Sequence, residues 1–207
     1  MKVEEYPRIT IILRNVSSQV IDWIVRAISS NKFDFAVEIT MNSSNSDLLS
    51  QYVRQYPELK IGAGTILTKN DAKHAIAAGC QFILSPIVLP VGIVEFCKQQ
   101  GVLVVSGAYS PTEVWKAYQS GSDIVKVFPI RDLGKYYVRD IKAPLGNIPI
   151  MAVGGVSADR LIEYFSHDID YVGIGTGLFG KDLASLNEKI VEQQLAELNH
   201  IVTNYLS

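Results

Sequence analysis

Eight times along 207 residues, a short run of apolar residues gives way to a longer amphipathic stretch. The runs cover residues 9–13, 35–39, 60–62, 82–84, 102–105, 124–127, 149–153 and 171–174 and read as strands. The stretches after them, 17–30, 46–56, 70–78, 91–100, 111–119, 136–142, 158–165 and 183–205, read as helices. Several carry end signals: Ser17 opening the first, and Gly79, Gly101 and Gly121 closing others. Strands alternating with helices imply parallel pairing through right-handed crossovers. Eight such units predict a closed (β/α)₈ TIM barrel, one domain over 1–207, and six of the runs are too apolar to face water on either side. A doubly wound open sheet is the alternative, but it does not need this many units in so short a chain.

A barrel holds its reactive groups at the carboxyl ends of its strands and in the loops that follow. The polar residues there are Arg14, Glu38, Thr65, Ser85 and Lys126, with Gly154-Gly155 after strand seven and Gly173-Ile174-Gly175-Thr176-Gly177 at the end of strand eight. Lys126 interrupts Ile124-Val125-Lys126-Val127-Phe128-Pro129, an apolar run where an ammonium is poorly solvated. Burial lowers a lysine's pKa, and a neutral amine attacks ketones; the other reading is a strand-edge lysine whose head reaches solvent. Glu38 lies in a second apolar run and is either a proton carrier for the same substrate or half of an idle ion pair. Arg14 is suited to a carboxylate, or is a plain loop arginine. Loops after strands seven and eight are where barrels bind phosphate through backbone N–H groups, to which Thr176 adds a hydroxyl; glycines that only turn the chain are the simpler alternative.

Other chemistries find little support. Net charge is −2 without a basic block, so neither nucleic acid nor an anionic membrane is expected as partner. Hydrophobic residues make up 48% and charged ones 19%, which argues against disorder. His74, His167 and His200 lack metal-ligand spacing, and no metal is expected. Ser85 has no nucleophile elbow, and Gly62-Ala63-Gly64 lacks the third glycine of a dinucleotide fingerprint. Cys80 and Cys97 are expected as reduced core residues, and the absence of a signal-like or membrane-spanning segment makes the cytoplasm the expected compartment.

In order, Ile12-Leu13-Arg14, Val37-Glu38-Ile39, Gly62-Ala63-Gly64-Thr65, Ser85-Pro86, Ser110-Pro111-Thr112-Glu113, Lys126-Val127-Phe128-Pro129, Gly154-Gly155-Val156 and Gly175-Thr176 are landmarks over nearly the whole chain. Each is common; the set resembles the 2-keto-3-deoxy-6-phosphogluconate/4-hydroxy-2-oxoglutarate aldolase family. The resemblance implies a class I aldolase with Lys126 as Schiff-base lysine and Glu38 as general acid/base. It puts Arg14 and Thr65 at the keto acid's carboxylate and Gly154, Gly155, Gly175 and Thr176 at its phosphate. It further implies a phosphorylated keto acid and pyruvate as ligands, no cofactor, and a homotrimer.

Three departures from the commoner pattern stand out. Ala152-Val153-Gly154-Gly155 replaces Pro-Thr-Gly-Gly, and Asn42 replaces an arginine four residues after the glutamate. Both resemble the branch acting on 2-dehydro-3-deoxy-6-phosphogalactonate, where the valine at 153 is associated with the opposite hydroxyl configuration. Ser106-Gly107 replaces Pro-Gly beside strand five, leaving substrate choice between the epimers open. An isomerase or epimerase on the same phosphate-binding barrel is the competing class; it needs acid/base residues but no amine.

Overall fold

The computed structural model describes residues 1–41, 46–180 and 185–206. Eight parallel strands close into a barrel in chain order: β1 (Ile9–Leu13), β2 (Phe35–Thr40), β3 (Lys60–Gly64), β4 (Phe82–Leu84), β5 (Leu103–Ala108), β6 (Ile124–Val127), β7 (Ile150–Val153) and β8 (Tyr171–Ile174). Helices α1 (Ser18–Asn31), α2 (Ser46–Gln55), α3 (Lys69–Ala77), α4 (Val91–Gln99), α5 (Pro111–Gln119), α6 (Tyr137–Leu145), α7 (Leu161–Phe165) and α8 (Glu188–Leu206) follow the strands.

Alternation along each strand divides the core in two. Ile12, Ala36, Phe82, Leu84, Val105 and Met151 pack inside the barrel. Their neighbours, such as Ile11, Val37, Ile83, Val104 and Ala152, face the helices with Ile24, Ile28, Val94 and Leu195. Each fully buried aliphatic side chain of this kind contributes about 1.5–3 kcal/mol. Tyr6 closes the barrel floor from below, its hydroxyl bonded to that of Thr10 at 2.7 Å and its ring edge-on to Phe82.

Several boundaries differ from the expected ones for local reasons. β5 runs to Ala108 rather than stopping at 105, because Ser106, Gly107 and Ala108 pair with Val125, Lys126 and Val127. Ser106 therefore lies within the strand and turns toward the helices, where it accepts a hydrogen bond from Ser122 at 2.6 Å. It is not among the residues that line the cavity at the barrel mouth. β3 extends to Gly64, and the stretch expected as one helix from 158 opens as a 3₁₀ turn, Ala158–Arg160. The last helix begins at Glu188 instead of 183, since the Asn187 side chain caps it by accepting the Ile190 N–H at 3.1 Å. Residues 183–184, and Asn42, lie outside the described residues. Ser110-Pro111-Thr112-Glu113 is a capping box with proline at the first turn, so this landmark starts α5 rather than entering the cavity.

Candidate active site

The side chains that point inward at the carboxyl ends of the strands surround a cavity of about 410 Å³. Arg14, Glu38, Thr65 and Lys126 line it, and so do Val153, Gly154, Gly155, Gly175 and Thr176. All nine expected positions thus meet in one place. Ser85 does not; its hydroxyl is buried and accepts the Ile87 N–H.

Lys126 and Glu38 belong to β6 and β2, four strands apart in a closed ring of eight, and so face each other across the barrel. Both are buried, at 4% and 2% exposure. Burial pulls the Lys126 pKa down, with Arg14 adding to that effect and the Glu38 charge opposing it. Burial pushes the Glu38 pKa up, against the Lys126 charge, a hydrogen bond from Thr40 and Arg14. Among the described residues the two make no ion-pair contact within 4 Å, so the lysine is not locked in a structural salt bridge. Its Nζ lies 5.2 Å from the centre of the Phe128 ring, two residues along the same face. One Glu38 oxygen accepts from Thr40 Oγ1 at 3.1 Å; the other is buried without a hydrogen bond among the described residues. A carboxyl so placed is available to a substrate hydroxyl.

The landmark glycines make room for these groups. A Cβ on Gly64 would overlap the Glu38 carboxyl, and one on Gly62 would lie 2.5 Å from the Phe82 ring. Thr65 adopts φ +62°, unusual for a β-branched residue, and its Oγ1 is buried without a hydrogen bond among the described residues. Such strain, of order 1–3 kcal/mol, clusters at ligand sites. Gly154 and Gly155 have φ +92° and +81°, and a Cβ on Gly154 would come within 3.0 Å of Phe128 and Pro129. The Lys126-to-Pro129 segment is therefore packed directly on the glycine loop.

Gly177, part of the expected glycine loop, also lines the cavity, as do Ile12, Asn15, Leu84 and Phe128, which were not expected there. Phe128 and Leu84 were reachable by counting two residues along a strand from an inward position. Asn15 lies in a loop at φ +56°, for which no sequence signal stood out. None of His74, His167, His200, Cys80 or Cys97 reaches the cavity, and the described residues contain no cluster of His, Cys, Asp and Glu suited to a metal.

Fold and cavity together define an enzyme built on a (β/α)₈ barrel with a buried amine and carboxyl in its mouth. The family model described as "KDPG and KHG aldolase" matches residues 4–193, and the chain belongs to that family of aldolases, which are lyases. A relative from Rhizobium meliloti (strain 1021), named probable 2-dehydro-3-deoxy-6-phosphogalactonate aldolase, is 32% identical over 81% of this chain and 80% of its own. A Treponema pallidum relative named 2-dehydro-3-deoxy-phosphogluconate aldolase is 36% identical over a shorter span, 53% of this chain and 52% of its own. Among solved structures, one described as native KDPGal superposes with a TM-score of 0.87 at 27% identity, covering 100% of this chain and 99% of that one.

Proposed function

We propose that the enzyme reversibly cleaves a 2-keto-3-deoxy-6-phospho sugar acid, 2-dehydro-3-deoxy-6-phosphogalactonate, to pyruvate and glyceraldehyde 3-phosphate through a Schiff base on Lys126. The observation that carries this reading is the buried Lys126 amine, without an ion pair among the described residues, sharing one cavity with Glu38 and the glycine loops. Neutral Lys126 adds to the C2 ketone, and the carbinolamine loses water to give a protonated Schiff base. Glu38 takes the proton of the C4 hydroxyl; the C3–C4 bond breaks, its electron pair moves into the iminium, and the aldehyde leaves. The enamine is protonated at C3, and water releases pyruvate and the free amine. Arg14 and Thr65 hold the C1 carboxylate while Gly154, Gly155, Gly175 and Thr176 hold the phosphate; distant from the reacting bond, the phosphate contributes binding and orientation.

Val153 supports the galactonate epimer. It is the last residue of β7, lines the cavity and adjoins Gly173 in β8, where a Cβ would lie 2.8 Å from Val153 Cγ2. An apolar side chain there cannot hydrogen-bond a C4 hydroxyl in the gluconate configuration. The Treponema relative's name favours the gluconate epimer as the second reading. Cleavage rates on both purified epimers distinguish the two: the account expects a higher kcat/KM on the galactonate form, and an equal or higher value on the gluconate form overturns the epimer assignment.

The proposed working form is a homotrimer with the whole site in one barrel. Ile87, Val91, Tyr109, Trp115 and Tyr118, on neighbouring units four and five, stay exposed and offer an apolar surface for a second copy. The proposed compartment is the cytoplasm, in keeping with two free, buried cysteines.

A further inference from the structure

One cation lies against the glycine loop from outside the cavity. After β6 the chain runs beside the end of β7, the Ile130 N–H donating to the Val153 carbonyl at 2.9 Å and the Arg131 N–H to that of Gly154 at 3.0 Å. These bonds set Arg131 over Gly155. A Cβ built on Gly155 would lie 2.5 Å from Arg131 Cβ and 3.3 Å from its Nε, so only glycine admits the side chain there. Gly155 itself lines the cavity, which puts the guanidinium stem one residue's thickness from the mouth. Among the described residues Arg131 makes no ion pair, whereas Arg160 on the same side of the barrel is held by Glu163 at 3.1 Å. Arg14 lies within the cavity lining instead, where its charge is felt by both Lys126 and Glu38.

We propose that Arg131 is a specificity-determining residue that reads the phosphate of the substrate. The inference rests on the aldolase reading above and deepens it. Peptide N–H groups in a glycine loop offer only partial charges, while a phosphate monoester carries about −1.5 to −2 at neutral pH. A guanidinium reaching over Gly155 supplies the full charge and the planar fork that phosphate oxygens accept. The enzyme thereby distinguishes phosphorylated keto acids from unphosphorylated ones such as 4-hydroxy-2-oxoglutarate.

Wild type, Arg131→Ala and Arg131→Lys are compared on the phosphorylated acid and on 4-hydroxy-2-oxoglutarate, with inorganic phosphate as inhibitor. In Arg131→Ala the ratio of the two kcat/KM values falls by about tenfold or more, chiefly through KM of the phosphorylated acid, and inhibition by inorganic phosphate weakens at least about fivefold. Arg131→Lys recovers part of both. An unchanged ratio with unchanged phosphate inhibition overturns the assignment, whether or not overall turnover drops. Failure of the wild type to form a borohydride-stable adduct with pyruvate overturns the underlying aldolase reading instead, so the two failures are told apart.

Discussion

Lys126 and Glu38 sit in environments that push their titrations toward each other. Burial depresses Lys126 and raises Glu38, and each charge opposes the other's shift. The Glu38 carboxylate raises the Lys126 pKa, so Glu38→Gln removes that support and lowers it further. The acid limb of Schiff-base formation with pyruvate, followed by borohydride trapping across pH, should therefore move to lower pH in Glu38→Gln. A move to higher pH contradicts the assigned environment. Both residues were legible in sequence as charges inside apolar runs. What the runs left open was whether the pair touches; the barrel holds them on opposing walls without an ion-pair contact. Arg131 was not legible, because nothing in Pro129-Ile130-Arg131 signals that the chain will lie along β7 and bring its side chain over Gly155.

At the scale of elements, the landmark motifs resolve into fitted surfaces. β3 gives up side-chain volume at Gly62 for Phe82 and at Gly64 for the Glu38 carboxyl. Gly64→Ala should thus expel the carboxyl from its position and lower kcat by about 10²-fold or more, the usual contribution of a placed general base. Circular dichroism should still show the barrel, and a near-normal kcat counts against the carboxyl's role. β5 shows the limit of apolar patterning. Its end, Ser106-Gly107-Ala108, lacks the β-branched residues that mark strands, and it continues because Gly107 fits tightly beside the Pro86–Ile87 backbone. The spacing of the eight units was plain, since a strand buried on both faces must be continuously apolar. The ends of α7 and α8 were not, because a 3₁₀ turn and a cap by Asn187 are decided by single hydrogen bonds.

For the whole molecule, a buried amine and a buried carboxyl in the barrel core lower stability. Lys126 binds its proton more weakly in the folded chain than in the unfolded one, so its contribution is complete above the unfolded value of roughly 10.4 and is lost as pH falls. Glu38 is shifted the other way; its contribution is present below the unfolded value of roughly 4.3 and is lost as pH rises through the folded one. At neutral pH both groups therefore destabilise the fold. Lys126→Met combined with Glu38→Gln should raise the unfolding free energy by on the order of 1–4 kcal/mol at pH 7 in urea titrations, while abolishing turnover. A less stable double variant contradicts the burial cost ascribed to the pair.

Covalent capture reads the nucleophilicity of the Lys126 amine without any further assumption. Wild-type protein is incubated with pyruvate, reduced with borohydride, digested and mapped by mass spectrometry. The account predicts one pyruvyl adduct per chain, on the peptide carrying Lys126, and none in Lys126→Ala. An adduct on another lysine, or none in the wild type, contradicts it.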